Sequence, residues 1–247
     1  MIQKKSKEQI RLIQKSGLIA KFTLKELLSA AKPGVSRFEL EKIANRLIAA
    51  RGAKPSFLGY RGYKFATCIS INDEVVHGLP SQKRIKDGDI VSIDVGVNYN
   101  GYYSDTAATI IVGQASQEIK NLVSNTRKAL MDAISVVKPG VRVGEIESKT
   151  GEVLRVSKLK PILALSGHGV GFEVHEEPSI KSDGEIESGE ILEEGMVIAI
   201  EPMATLGTGE VYTDKDGWTI KTVDGKPAAH FEHTIAVTKN GYKMLTV

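Results

Sequence analysis

Two isolated carboxylates stand in a hairpin that is otherwise apolar. Ile90-Val91-Ser92-Ile93-Asp94-Val95-Gly96 carries one, and a return strand from Tyr102 to Val112 carries the other, Asp105. Asn98-Tyr99-Asn100-Gly101 separates them, and Asn-Gly is the strongest short hairpin signal. With Tyr99-Asn100 as the loop, Asp94 and Asp105 are directly opposed; with Asn100-Gly101 as the loop they are diagonal neighbours. Either register puts both on one face, about 5 or 7–8 Å apart. Two carboxylates so close in an apolar strand pair cannot both stay ionised without a cation. The plain alternative is the exposed face of an edge hairpin.

Further residues favour the cation. Glu201 closes Gly195-Met196-Val197-Ile198-Ala199-Ile200-Glu201, and Glu232 opens an apolar run from Phe231 to Val237. An unpaired carboxylate in such a strand costs several kcal/mol. Ser166-Gly167-His168-Gly169-Val170-Gly171 adds a histidine in a glycine-rich bend or strand, where backbone and ligand can approach closely. Alone, His168 reads as a satisfied core histidine. An oxygen-rich set with one imidazole suits paired divalent metals such as Mn²⁺, Fe²⁺, Co²⁺ or Zn²⁺, not a cysteine-type structural zinc.

The elements that would position these groups repeat. Lys32-Pro33-Gly34-Val35 recurs as Lys138-Pro139-Gly140-Val141, each copy between two helical patterns. Val76-His77-Gly78-Leu79-Pro80 is echoed by Val174-His175-Glu176-Glu177-Pro178, and the Asp94 strand by the Glu201 strand. Phe231-Glu232-His233-Thr234-Ile235 parallels the strand that opens at Asp105. In this frame Asp94 maps on Glu201 and Asp105 on Glu232. Capping boxes at Ser6-Lys7-Glu8-Gln9 and Ser36-Arg37-Phe38-Glu39 open the first two helices. Ser116 to Val137 and Val143 to Leu159 supply two more. The expected fold is α+β: one catalytic domain over 1–247, duplicated roughly as 1–112 and 113–247, with a curved antiparallel sheet and helices on its outer face.

Composition bounds the setting. With 247 residues, 41% hydrophobic and 26% charged, the chain reads as a folded domain. A single cysteine, Cys68, excludes an intrachain disulfide framework. No signal peptide and no bilayer-length apolar run is evident, so a cytoplasmic monomer without membrane contact is expected. The net charge of +3 implies no specific nucleic-acid partner. Lys4, Lys5, Lys7, Arg11 and Lys15 crowd the first helix, either as a solvated face or as a weak contact with an anionic surface such as the ribosome.

Val76-His77-Gly78, Ile93-Asp94-Val95-Gly96, Tyr103-Ser104-Asp105-Thr106-Ala107, Gly167-His168-Gly169-Val170-Gly171, His175-Glu176-Glu177-Pro178, Ile200-Glu201-Pro202 and Phe231-Glu232-His233-Thr234 together resemble the motifs of type I methionine aminopeptidases. The resemblance covers essentially the whole chain and matches the short bacterial form, without a zinc-finger extension. It implies the pita-bread fold and two divalent ions on Asp94, Asp105, His168, Glu201 and Glu232, with Asp105 and Glu232 bridging. It implies that Glu201 also shuttles a proton, that His175 faces the scissile carbonyl, and that His77 faces the scissile amide. The substrate would be the N-terminal peptide of nascent chains.

By the same resemblance Phe57, Tyr60, Tyr63, Cys68, Val174 and Trp218 form the methionine pocket. Phe57 replaces a common cysteine and Val174 a common aromatic, so one wall residue grew and one shrank. His230 stands where glutamine is common and shares a strand face with Glu232, which leaves it as a residue orienting a ligand, a further metal ligand, or an exposed strand histidine. Competing readings are another pita-bread peptidase, of the aminopeptidase P or prolidase type, and a non-catalytic binding relative.

Overall fold

The computed structural model describes residues 2–247; Met1, the head of the basic segment, lies outside the described residues. The first half runs α1 (Lys7–Ala30), α2 (Arg37–Ala49), β1 (Lys54–Pro55), a 3-10 turn (Tyr60–Gly62), β2 (Thr67–Ile71), β3 (Glu74–Val76), β4 (Ile90–Tyr99) and β5 (Tyr102–Ile111). The second runs α3 (Gln117–Ser135), α4 (Val143–Val156), β6 (Lys160–Pro161), β7 (Ser166–Gly169), β8 (Glu176–Lys181), β9 (Val197–Ile200) and β10 (Met203–Thr205). It closes with β11 (Val211–Thr213), β12 (Ile220–Thr222), β13 (Ala228–His230), β14 (His233–Thr238) and β15 (Gly241–Met244).

Local chemistry sets the helix ends. Both expected capping boxes form, Ser6 with Gln9 and Ser36 with Glu39, each satisfying amides the first turn leaves free. Ile13, Gly17, Ala20, Leu24 and Leu27 give α1 one buried stripe. A Cβ on Gly17 would lie 2.3 Å from the Leu245 carbonyl oxygen, so glycine lets the C-terminal segment pass against the helix. The strands β4 and β2 bury Val91, Ile93, Val95 and Ile69 against α1 and α2. The strands β9 and β14 bury Ile198, Ile200 and Ile235 against α3 and α4. Helices thus cover the outer face in both halves.

Lys5 corrects one expectation. It is buried, its ammonium pairs with Glu176, and its amide donates to the Gly195 carbonyl. Lys4 pairs with Glu193. The first lysines therefore tie the N-terminus to the second half rather than forming a free cationic face.

The duplication is visible bond by bond. Gly34 N donates to Ile85 O and Ile85 N to Val35 O; Gly140 N donates to Leu192 O and Leu192 N to Val141 O. Gly34 and Gly140 both have φ of 90°, a left-handed turn that favours glycine. Gly88 N bonds Val112 O and Val112 N bonds Asp89 O; Gly195 N bonds Val237 O and Val237 N bonds Met196 O. These bonds fix the frame: β4 maps on β9 as 88 maps on 195, and β5 maps on β14 as 112 maps on 237.

In that frame Asp94 does correspond to Glu201, but Asp105 corresponds to His230, and Glu232 to Ala107. The expected Asp105–Glu232 equivalence is corrected. The threonines agree: Thr234 Oγ1 accepts from Asp105 N and donates to Asp105 O, while Thr109 Oγ1 accepts from His230 N and donates to His230 O. Aligning the sequence on its acids slips the strand by two residues, which preserves the side-chain face and hides the error.

The hairpin adopts the second register. Tyr99 pairs with Tyr102, so Asn100-Gly101 is the loop, and Asp94 and Asp105 are diagonal. Asn100 and Gly101 both have positive φ, as a two-residue hairpin turn demands. In the second half the counterpart of β4 is interrupted at Glu201-Pro202 and that of β5 at Phe231-Glu232. Proline has no amide to donate to a ladder. The antiparallel strands form four hydrogen-bonded sheets. Across the seam Glu232 N donates to Ala107 O at 2.9 Å.

Candidate metal centre

The five expected ligands converge on this seam. Asp94 comes from β4, Asp105 from β5 and His168 from β7; Glu201 follows β9, and Glu232 sits between β13 and β14. Asp105, His168 and Glu232 are buried and place ligand atoms within 4.8 Å of one another. His168 Nε2 is 3.5 Å from Glu201 Oε1. The Asp94 and Asp105 carboxyls act on each other's ionisation. His168 Nδ1 is 2.9 Å from the Gly169 carbonyl oxygen, which fixes the proton on Nδ1 and turns the Nε2 lone pair to the acids.

Electrostatics agree with the geometry. Burial raises all four carboxyls above their ordinary range; neighbouring carboxylates add to this at Asp94 and Glu232. Burial lowers His168 and His77 to about 4 and His175 to about 3, so the imidazoles are neutral. Asp94 Oδ1 and Glu232 Oε1 are buried without a hydrogen-bond partner. Four carboxylates and an imidazole with open lone pairs suit a divalent cation of borderline softness, and these residues fit one.

A cavity of about 280 Å³ opens beside the acids and is lined by them together with His77 and His175. His77 has φ of 57°, an uncommon left-handed position for a non-glycine residue. The His175 ring lies 4.3 Å from that of His168 and 5.0 Å from that of Tyr60.

The other wall is apolar. Phe57, Tyr60, Tyr63, Cys68 and Trp218 all line the cavity. Tyr63 and Trp218 meet edge to face at 4.9 Å, and Tyr63 OH donates to Thr67 O. Trp218 arrives on the turn between β11 and β12, and β12 pairs with β3 of the first half. The Cys68 thiol is pushed up by burial and by Asp94, which marks a small apolar group rather than a nucleophile. A Cβ at Gly96 would lie 2.5 Å from the Phe57 ring, so glycine there makes room for the larger side chain.

Val174 is placed differently. It packs in one apolar cluster with Phe57, Tyr63 and Cys68, behind the cavity wall rather than on it. Ser166, Met203 and His230 line the cavity too. Strand alternation could have found Ser166, two residues from His168 on β7, as it marked His230 beside Glu232; Met203 lies beyond the break at Pro202 and carries no such signal. Arg61 and Leu165 also line it and carry no such signal.

A buried carboxylate–imidazole centre on the seam of a duplicated α+β fold defines a metal-dependent hydrolase. The sequence from residue 11 to 239 matches the model of metallopeptidase family M24, and the chain belongs to that family. A methionine aminopeptidase of Aquifex aeolicus is 47% identical, with 98% of this chain and 97% of that protein covered. The crystal structure of a methionine aminopeptidase from Thermotoga maritima superposes with a TM-score of 0.98 at 43% identity, covering 100% and 99% of the two chains. The prolidase from Pyrococcus furiosus shares the fold at a TM-score of 0.80 and 30% identity, but only 65% of its chain is covered.

Proposed function

We propose that this metallopeptidase is a methionine aminopeptidase, removing N-terminal methionine from peptides and nascent chains when the next residue is small. The observation that carries this reading is the juxtaposition of the five-ligand centre with an aromatic-walled cavity of about 280 Å³. The aromatic wall suits an unbranched apolar side chain, since thioether sulfur packs well on aromatic edges.

Asp94, Asp105, His168, Glu201 and Glu232 would hold two divalent ions, drawn from Co²⁺, Mn²⁺, Fe²⁺ and Zn²⁺. Such a pair supplies Lewis acidity and an acidified water at neutral pH. Glu201 takes the proton of the attacking water and returns it to the leaving amine. His175, neutral, donates to the carbonyl oxygen as charge develops there. His77 contacts the amide nitrogen across the cavity. The free α-amine of the substrate needs an anionic or metal site, which the ion held near Asp94 would supply. Asp105 and Glu232, buried together beside His168, would each serve both ions.

The test is hydrolysis of Met-Ala-Ser by protein loaded with each metal, against Met-Leu and Met-Lys peptides and an Xaa-Pro dipeptide. Fast cleavage of Met-Ala-Ser alone is expected. Equal rates on Met-Leu, or a preference for Xaa-Pro, would overturn the reading.

Among the described residues no helix is long and apolar enough to cross a membrane. We place the enzyme in the cytoplasm as a monomeric single catalytic domain. Contact with the phosphate-rich ribosome surface, if made through α1, falls to the exposed Lys7, Arg11 and Lys15. Salt-dependent co-sedimentation that survives charge reversal of these three would dispose of that route.

A further inference from the structure

We infer that His230 is an additional metal ligand of this centre, supplying a second imidazole beside Glu201. The inference rests on the metal-site assignment above and goes beyond its five residues.

His230 is 2% exposed and lines the cavity. Its main chain is clamped, because Thr109 Oγ1 accepts from its amide and donates to its carbonyl. The ring is therefore delivered from a fixed strand position. In the duplicated frame that position is the one Asp105 holds in the first half. Each half thus brings two neighbouring groups to the seam: Asp94 with Asp105, and Glu201 with His230.

The local geometry is that of adjacent ligands rather than of a hydrogen-bonded pair. His230 Nε2 lies 3.1 Å from Glu201 Oε2, yet this buried nitrogen has no hydrogen-bond partner. Two donors bound to one cation at about 2.1 Å, at angles between square and tetrahedral, sit about 3.0–3.4 Å apart. Glu201 Oε1 is 3.5 Å from His168 Nε2 on its other side. The carboxylate therefore lies between two imidazoles.

A second nitrogen donor changes metal preference. Imidazole favours Zn²⁺ and Co²⁺ over Mn²⁺ more than an amide oxygen does. Glutamine at this position would offer oxygen only.

The experiment uses full-length protein stripped of metal and reloaded. X-ray absorption of the Zn²⁺ form should show scattering from two imidazoles in the wild type and one in His230→Gln. Chelator competition should show Zn²⁺ affinity falling at least about tenfold in His230→Gln, with Mn²⁺ affinity changed much less. A single imidazole in the wild type would overturn the inference, and that measurement needs no variant to fold. Equal loss of Zn²⁺ and Mn²⁺ affinity in His230→Gln would overturn it also, since it would signal general damage. A wild type that takes up no metal would overturn the metal-site assignment itself, and this inference with it.

Discussion

At the scale of single residues, the centre is a set of groups whose ordinary ionisation has been suppressed by burial. Asp105→Ala or Glu232→Ala should lower metal affinity by at least about 100-fold, as each is proposed to serve both ions. Asp94→Ala should lose one ion before the other. Calorimetric titration with Mn²⁺ decides this; two ions held by Glu232→Ala with normal turnover would refute the bridging role. The metal-free protein should also show a distinctive pH response. Asp105 and Glu201 are raised to about 7 and about 8, so the folded state keeps protons that the unfolded chain has lost. That stability is fully present below about pH 4 and is lost as pH rises through the folded values. The lowered histidines act oppositely, but their contribution is complete above about pH 6.5. Between pH 6.5 and 8 the metal-free melting temperature should therefore fall, and the increment from added Mn²⁺ should grow. A metal-free melting temperature that rises across that window would contradict the assignment. The four proposed acid ligands were legible in the sequence because each ends or interrupts an apolar strand, and His168 because it stands among glycines. His230 was legible as a histidine on the face of Glu232, but its equivalence to Asp105 was not, since that is written in backbone hydrogen bonds and not in residue type.

At the scale of elements, the pocket wall depends on how the Phe57 loop seats against β4. Phe57 and Val174 share one buried cluster, and Gly96 yields the space that the phenylalanine ring uses. Val174→Phe should overpack that cluster at about 1–3 kcal/mol, read as a roughly 5- to 150-fold loss in kcat/KM for methionine substrates. Phe57→Cys should leave a void and relax discrimination against leucine. The double variant should return toward the parent, with a coupling above about 0.5 kcal/mol. Strict additivity in the double-mutant cycle would show the two substitutions to be independent. Helix starts were readable because Ser6 and Ser36 carry their partners three residues on. The two-residue strands Lys54–Pro55 and Lys160–Pro161 were not, although they are the same element in each half. Two residues hold no alternation to detect, and their pairing with β4 and β10 is decided entirely by tertiary contact. The final strand, β15, was likewise missed, since its residues carry no apolar pattern of their own and are ordered by pairing with β14.

At the scale of the whole molecule, the centre belongs to neither half. Asp94 and Asp105 come from the first, and His168, Glu201 and Glu232 from the second. The duplication was legible from four echoes in order; the two-residue slip between acids and backbone was not, because a shift of two leaves every side chain on its expected face. The seam is held by reversible bonds, among them Glu232 N to Ala107 O and the reciprocal threonine pairs. One exposed stretch, Gly113-Gln114, leads from β5 toward α3. Breaking the chain after Gln114 and expressing both pieces should give fragments that are each inert and metal-poor, yet regain Met-Ala-Ser hydrolysis when mixed. The recovered rate should scale with the product of the two fragment concentrations until association saturates. The chain would then behave as a two-input gate, in which catalysis reports the meeting of its own two halves.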